Sequence, residues 1–382
     1  MFIYIILYIL LLLITVFDYV EYPYERKKII IICAVIVFGL FKGLRWETGT
    51  DWNQFYMCFE NSSWNNIFTY KRYEELDELM EPGYMFANVF IKQFGDYTLF
   101  LLCQCFFVCI TWAYLSFKLV PNRPIFAFAM AMVFNVIFPI RLPVAGAIVC
   151  WAFYFSLKKQ YFIALLIGVI AYTMHKSALF TIPFIFFINK ELPKWLIWIL
   201  FGVSLLGEIL ADHISLLILL ISVYLPENLQ ENVAGYSDAV IHGYSEKSLL
   251  SIVMSVSLSF FFVFIFLKTR DLIKMRIKKT HLIIHKRKLI IFNQYFNCYI
   301  FMTFFFKFFS SPMLTNFTRV SEYFTLGFAI SFVIAYDYLK RYFSEGILYS
   351  FFCAYYLYKF YGMMNTPYPE AMFPYKTIFS LW

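Results

Sequence analysis

The chain has 382 residues, of which 62% are hydrophobic and 15% charged, and its formal net charge is +8. Soluble globular chains are about 45–50% apolar and about 25% charged, so this composition excludes a soluble enzyme, a disordered chain and a disulfide-rich secreted module. It predicts an all-α fold, a polytopic bundle of transmembrane helices that forms a single membrane domain over residues 1–382.

Apolar runs recur along the whole chain. A helix that crosses a bilayer needs about 20 apolar residues, and shorter or broken helices are tolerated where protein surrounds them. We predict twelve spans on this basis: Phe2–Tyr19, Lys28–Leu44, Tyr97–Phe117, Pro124–Pro139, Pro143–Leu157, Tyr161–Met174, Ser177–Ile188, Trp195–Leu210, Leu249–Leu267, Leu289–Phe309, Val320–Tyr338 and Ile347–Met363. The short apolar stretch Ile214–Leu225, within the segment 212–248, is predicted to be re-entrant or interfacial.

Basic residues indicate the orientation of the spans, because Lys and Arg concentrate in short cytoplasmic loops. The segment 268–288 holds nine basic residues against one acidic residue and is predicted to be a cytoplasmic loop. With this cluster and Arg26–Lys28 inside, the loop 45–96 and the tail 364–382 are predicted to lie outside. The net positive charge is therefore an orientation signal, and nucleic acid is not an expected partner.

Cationic and titratable residues stand at the predicted outer ends of four spans: Arg45, Arg141, His175 and Arg319. Each has an ordinary structural alternative, because span-end arginines commonly reach lipid headgroups and a lone histidine can be a core residue. Arg141 is harder to explain in this way, since Pro139 and Pro143 interrupt the helix around it. Broken helices free backbone amides and direct helix ends toward an anion site near membrane depth.

Three arginines at an outer membrane face suit a lipid-linked pyrophosphate. Guanidinium groups match phosphate oxygens in bidentate geometry, and they can stabilise the charge on a departing diphosphate without a metal ion. Asp51, Glu47 and His175 are candidate bases for an attacking hydroxyl. Asp51 could instead pair with Arg45 or cap a helix. The acidic stretch Glu74–Glu81 is predicted to be a solvated loop face, and no metal or cofactor motif is present.

At these positions the chain resembles the EpsG family of bacterial exopolysaccharide and O-antigen polymerases, the Wzy-type enzymes. The similarity rests on short elements in the expected order: RWETGTDW from Arg45 followed by Tyr56, IRLPVA around Arg141, HKSA from His175, RVSEYF from Arg319, and Pro374-Tyr375 in the tail. The chain departs from the family pattern at Leu142-Pro143, where Gln and a small residue are usual. That departure bears on substrate contacts at the helix break and not on the role of Arg141.

The resemblance implies a metal-independent glycosyltransferase with a fold like that of lipid-donor, GT-C-like enzymes. At the periplasmic face of the bacterial inner membrane, it would move a growing glycan from undecaprenyl pyrophosphate onto the non-reducing end of a lipid-linked repeat unit. The lipid-linked oligosaccharide is thus donor and acceptor, membrane lipids and a chain-length regulator protein are further expected partners, and no cofactor is expected.

The site residues follow from the same interpretation. Arg45, Arg141 and Arg319 would hold the pyrophosphate, while Asp51, His175 or Glu47 would act on the acceptor hydroxyl. Other substrate contacts are expected from Tyr56, Lys176, Tyr323 and Tyr375.

Other functions fit part of the pattern. A flippase for lipid-linked oligosaccharides would place charges deep in a central cavity and on both sides. An O-acyltransferase for surface sugars would also use a histidine at the membrane. A ligase that transfers the finished glycan shares the donor chemistry, and the sequence does not distinguish it from a polymerase.

Overall fold

The computed structural model describes residues 2–73, 78–134, 138, 141–222, 249–311, 314–365 and 369–381. Within these residues the chain is helical apart from connections and one antiparallel ribbon, in which β1 (Lys71–Tyr73) pairs with β2 (Glu78–Leu79). The all-α prediction is therefore confirmed. The apolar helices also agree with a membrane-embedded protein.

The α-helices, in chain order, are α1 Phe2–Ile14, α2 Val16–Tyr19, α3 Tyr24–Gly43, α4 Trp52–Asn61, α5 Pro82–Lys92, α6 Tyr97–Leu119, α7 Pro124–Phe134, α8 Arg141–Leu157, α9 Tyr161–Met174, α10 Lys194–Ile209, α11 Ala211–Ser222, α12 Leu249–Thr280, α13 Ile283–Phe308, α14 Thr315–Thr318, α15 Leu326–Leu339, α16 Glu345–Met364 and α17 Pro369–Met372. Short 3-10 helices cover Trp64–Asn66, Lys176–Thr181, Pro183–Phe186, Arg319–Phe324 and Ile378–Leu381.

Four segments of the described chain are long and apolar enough to cross a membrane: Phe2–Tyr19, Tyr97–Leu119, Ser251–Thr280 and Ile283–Phe308. Other predicted spans correspond to shorter elements, and Ser177–Ile188 is built largely from two 3-10 helices. The number of twelve spans and the GT-C-like architecture stay predictions. Of the predicted re-entrant segment 212–248, α11 covers the part up to Ser222, and 223–248 lies outside the described residues.

The basic segment 268–288 differs from the expected loop. Helix α12 continues to Thr280 and α13 starts at Ile283, so the two helices meet at a tight turn in which His281 has a φ of 53°. Lys, Arg, Leu and Met are good helix formers, so a basic stretch outside the apolar run can prolong both helices. The predicted periplasmic loop 45–96 is also ordered in part, since it contains α4, α5 and the ribbon.

The chain forms two compact units, one of residues 1–186 and 332–382 and the other of residues 187–331. In the first unit, helix ends predicted to be cytoplasmic meet around Arg123, which is 1% exposed. Its guanidinium pairs with Asp337 (3.1 Å), Glu21 (3.2 Å) and Glu345. This ion network joins the starts of α3, α7 and α16 to the end of α15.

A second buried pair lies in the same network. Lys27 and Asp18 are 3.1 Å apart, and the Asp18 carboxylate also accepts a hydrogen bond from the Phe126 backbone amide at 2.8 Å. Both charged side chains are buried. Ends that the prediction assigns to one side of the membrane are therefore in contact.

In the second unit, three helices carry a polar triad at ends predicted to be periplasmic. Lys307 Nζ lies 2.5 Å from Glu208 Oε2 and 2.7 Å from Ser255 Oγ, and that hydroxyl donates to Glu208 Oε1 at 3.2 Å. Because every member has a partner within the triad, the buried charges are compensated, and the triad fastens α10, α12 and α13 together.

Candidate functional site

The stretch after α3 is held in place by the C-terminal tail. The amide of Trp46 donates to the Lys376 carbonyl (2.9 Å), and the amide of Gly49 donates to the Ala371 carbonyl (2.7 Å). The tail amide of Ile378 donates in turn to Leu44 (3.1 Å). Segments more than 300 residues apart in sequence thus form one wall, and the tail belongs to the site region.

Arg45 is buried in this wall with an exposed fraction of 2%. Its guanidinium carbon lies 4.8 Å from the Phe138 ring centroid, and Nη1 donates to the Lys42 carbonyl at 3.4 Å. No described carboxylate lies within 4 Å of Arg45, and its Nε has no hydrogen-bond partner. A buried guanidinium without an acidic partner is costly, and an anionic ligand would compensate it.

Lys42, one turn before Arg45, is a cation that the sequence interpretation did not include. It is 7% exposed, and no described carboxylate pairs with it. The signal in the sequence is a lysine inside an apolar run, a position at which a charge is rare without a partner or a function.

Glu47 and Asp51 are both at the surface. Glu47 pairs with Lys376 at 2.9 Å, and both side chains are about half exposed. Asp51 is exposed at the N-cap of α4, and its side chain makes no capping hydrogen bond. It forms no ion pair with Arg45 within the described part of the chain. Of the two structural alternatives to a catalytic role, an ion pair with Arg45 and a helix cap, the structure therefore shows only the position at the cap.

Aromatic rings follow these acidic residues. Tyr56 stacks on Trp52 at a centroid distance of 5.1 Å, and Trp46 and Tyr97 lie within 6 Å of the Tyr56 ring. The Tyr375 hydroxyl donates to the Phe41 carbonyl, so this residue belongs to the wall. Aromatic faces of this kind are suitable for sugar rings or lipid.

Arg141 is the first residue of α8, with Pro143 in the first helical turn, where the missing amide costs no helical hydrogen bond. Its Nη1 pairs with the Glu81 carboxylate, and both side chains are buried, 6% and 5% exposed. The guanidinium also faces the Phe55 ring at 5.0 Å and the Tyr84 ring at 5.8 Å. Its Nε is buried without a hydrogen-bond partner.

His175 and Lys176 lie at the junction of α9 and the following 3-10 helix. The Lys176 backbone amide donates to Glu81 Oε1 at 3.3 Å, so one carboxylate joins Arg141 to this junction. His175 Nδ1 accepts from the Ser177 amide (3.3 Å) and lies 2.8 Å from Ser177 Oγ. Because Nδ1 accepts, a neutral ring carries its proton on Nε2.

The prediction that the acidic stretch ending at Glu81 is a solvated face is wrong at Glu81, which is 4% exposed. The cause is close packing of α5 against α9. A Cβ added at Gly83 would lie 2.3 Å from Thr173 Oγ1 and 2.9 Å from the Thr173 carbonyl carbon. Only glycine permits this approach, which buries Glu81 beside Arg141.

We expect Gly83→Ala to separate α5 from α9 and to weaken the Glu81–Arg141 pair. Overpacking of a tight contact costs about 1–3 kcal/mol. The purified variant should unfold at a lower temperature than wild type in a thermal scan. Gly202→Ala is a suitable control, because a Cβ there meets nothing within 4 Å. Equal melting temperatures for the two variants would contradict the contact.

The pKa of Glu81 lies below its usual range. Burial acts to raise this pKa, but the charges of Arg141 and His175 and the donated backbone amides outweigh it. The pair therefore stabilises the fold above the pKa of an unfolded glutamate, about 4.3. That stability is lost as the pH falls through the lower pKa of the folded state.

We expect the melting temperature of wild type to fall between pH 5 and pH 3 more steeply than that of Glu81→Gln. Glu47→Gln, which alters only a surface pair, should keep the wild-type slope. Identical slopes for wild type and Glu81→Gln would show that this carboxylate does not contribute.

Arg319 and Tyr323 belong to the second unit. Arg319 begins a 3-10 helix and is exposed, whereas Tyr323 is 1% exposed. The charge of Arg319 acts on Glu322, whose Oε2 is buried without a hydrogen-bond partner. Arg319 has no ion pair within 4 Å among the residues that the structure describes.

Among the described side chains, no group of three or more His, Cys, Asp or Glu is placed to hold a metal ion. In the first unit, Arg45 and Arg141 are buried, His175 Nδ1 lies against Ser177, and the Glu81 carboxylate joins Arg141 to the Lys176 amide.

Comparison with known proteins identifies one family. The model of the EpsG family matches residues 28–377, which is nearly the whole chain. Searches of curated proteins and of solved structures found no match.

Proposed function

The chain belongs to the EpsG family, and from that premise we propose that it is a polysaccharide polymerase of the O-antigen or exopolysaccharide type. Family membership supports a membrane polysaccharide polymerase and a glycosyltransferase-like activity in general terms. The specific reaction that we propose moves a growing glycan from undecaprenyl pyrophosphate onto the non-reducing end of a lipid-linked repeat unit. It takes place at the periplasmic face of the bacterial inner membrane.

The observation that carries this proposal is the set of buried cationic groups in the first unit. Arg45 is 2% exposed without a described acidic partner, and Arg141 is 6% exposed with an unpaired Nε. Guanidinium groups stay charged when desolvated and match phosphate oxygens. A lipid-linked diphosphate would supply the negative charge that Arg45 lacks, and at Arg141 it would add acceptors for the unpaired Nε.

The transfer needs charge stabilisation and a proton acceptor. The acceptor hydroxyl attacks the anomeric carbon, the bond from that carbon to the diphosphate oxygen breaks, and the diphosphate leaves with the electron pair. Arg45 and Arg141 would stabilise this developing charge. The assignment of Arg319 to the pyrophosphate stays a prediction from the sequence. The arginines would thus take the role that a metal ion has in other glycosyltransferases.

Asp51 is our candidate for the base. Phe55 contacts the Arg141 guanidinium, and its amide donates to the Asp51 carbonyl at 3.1 Å, so Asp51 lies one helical turn from that contact. Glu47 is a weaker candidate because Lys376 neutralises it. His175 is better suited to donate from Nε2 to a phosphate oxygen, since its Nδ1 is an acceptor. Tyr56, Lys176, Tyr323 and Tyr375 remain candidates for other substrate contacts.

Reconstitution tests the proposal. Purified protein in proteoliposomes, given a lipid-linked repeat unit, should produce a ladder of longer glycans, and Asp51→Asn should slow the ladder more than Glu47→Gln does. Movement of the lipid across the bilayer without elongation would favour a flippase. Acylated sugars of unchanged length would favour an acyltransferase, and transfer to another lipid or a protein would favour a ligase.

A further inference from the structure

The Glu81 carboxylate lies where a diphosphate oxygen would be expected. One of its oxygens accepts from Arg141 Nη1, and the other accepts from the Lys176 amide at 3.3 Å. An oxyanion whose two oxygens each accept from a donor, one of them a guanidinium, is the pattern that a phosphate group also makes. The donors, however, are satisfied here by the protein itself.

The surrounding backbone also favours an anion. Glu81 stands at the N-cap of α5, and Arg141 is the first residue of α8. The N-termini of these helices, 11 and 17 residues long, carry partial positive charge. A second observation points to a ligand, since Arg141 is more than nine-tenths buried and its Nε has no hydrogen-bond partner.

Glu81 does not use its position to cap its own helix. Its side chain makes no capping hydrogen bond to α5, although the residue occupies the N-cap. The carboxylate instead reaches across to α8 and to the α9 junction. The position of the Glu81 carboxylate is therefore better explained by the hydrogen-bond donors around Arg141 than by capping of α5.

We propose that Glu81 is a built-in counter-ion of a diphosphate subsite formed by Arg141, the Lys176 amide and His175, and that a bound diphosphate displaces its carboxylate. This inference rests on the proposed function and adds to it the residue that competes with the substrate. Before substrate binds, Glu81 compensates the buried charge of Arg141 and holds the guanidinium in place. When substrate binds, a phosphate oxygen takes over the same donors.

The test is binding of inorganic diphosphate to the full chain in nanodiscs, measured by calorimetry at pH 7. Glu81→Gln keeps the shape of the side chain and removes the competing charge, so it should bind diphosphate at least ten-fold more tightly than wild type. Glu78→Gln is the matched control. It removes a carboxylate from the exposed pair with Lys176, 3.6 Å away, and should change affinity less than three-fold.

A second measurement uses wild type alone, in case the variant fails to fold. Hydrogen exchange of peptides covering Glu78–Tyr84 should become faster when diphosphate is added, because Glu81 no longer ties the start of α5 to Arg141. Peptides from the first turns of α8 should not become faster.

The outcomes separate the two proposals. If wild type binds diphosphate but Glu81→Gln binds it no more tightly, or if exchange at Glu78–Tyr84 slows or stays constant, the counter-ion role is wrong and the polymerase proposal stands. If neither protein binds diphosphate, both the counter-ion role of Glu81 and the diphosphate site are wrong.

Discussion

Arg141→Lys is expected to abolish polymer formation and to leave the protein folded in the membrane. Lysine retains the positive charge but cannot face Phe55, contact Glu81 and present a planar fork to a phosphate at the same time. Loss of one preorganised donor to a developing oxyanion costs about 10²–10³-fold in rate. We expect a loss of at least this size in the rate of ladder formation.

The control is Arg26→Lys. Arg26 also contacts an aromatic ring, with its guanidinium 5.2 Å from Tyr22, but it is exposed and lies at a predicted cytoplasmic end. This variant should elongate glycans at the wild-type rate. Full-length polymer from Arg141→Lys, at wild-type protein levels, would show that Arg141 is not part of the site.

Arg123→Met is expected to have the largest effect on stability. Arg123 is 1% exposed and pairs with three carboxylates from separate parts of the first unit. Breaking a fully buried pair costs about 3–5 kcal/mol. Here the guanidinium is buried but Asp337 and Glu345 are 15% and 33% exposed, so we expect a cost toward the lower end of that range. We expect a strongly lowered melting temperature and little folded protein. Polymer would then be lost because the protein unfolds, and not because a catalytic group is missing.

Lys340→Met is the comparison for this network. Lys340 pairs with Glu21 at 2.6 Å, but Lys340 is only partly buried, at 32% exposed, and Glu21 is 62% exposed, and surface pairs contribute at most about 1 kcal/mol. If Arg123→Met melted at the same temperature as Lys340→Met, the network around Arg123 would be of no importance to the fold.

Hydropathy and charge patterns predicted the helical class well because both act locally along the chain. Apolar runs correctly indicated helices. Basic clusters indicated which helix ends lie on the same side of the membrane, and the structure brings such ends into contact at Arg123 and Lys27. Helix ends in basic segments were less predictable. Around 268–288 the charge pattern indicates where the membrane ends, but it does not determine where the helix ends.

The site was predictable where a residue interrupts an apolar run. Arg141 and His175 were found in this way, and the structure joins them through Glu81. Glu81 itself could not be identified, because its burial depends on the packing of α5 against α9 at Gly83. The surface pair of Glu47 with Lys376 depends in the same way on the fold of the tail.

A structure of the protein with a bound lipid-linked diphosphate sugar would show directly whether these groups form a diphosphate site. We expect a phosphate group within hydrogen-bond distance of Arg141 and the Lys176 amide, with Arg45 close to the same diphosphate and Glu81 moved off Arg141. A diphosphate bound elsewhere, with the Arg141–Glu81 pair intact and Arg45 still without an anion, would contradict it.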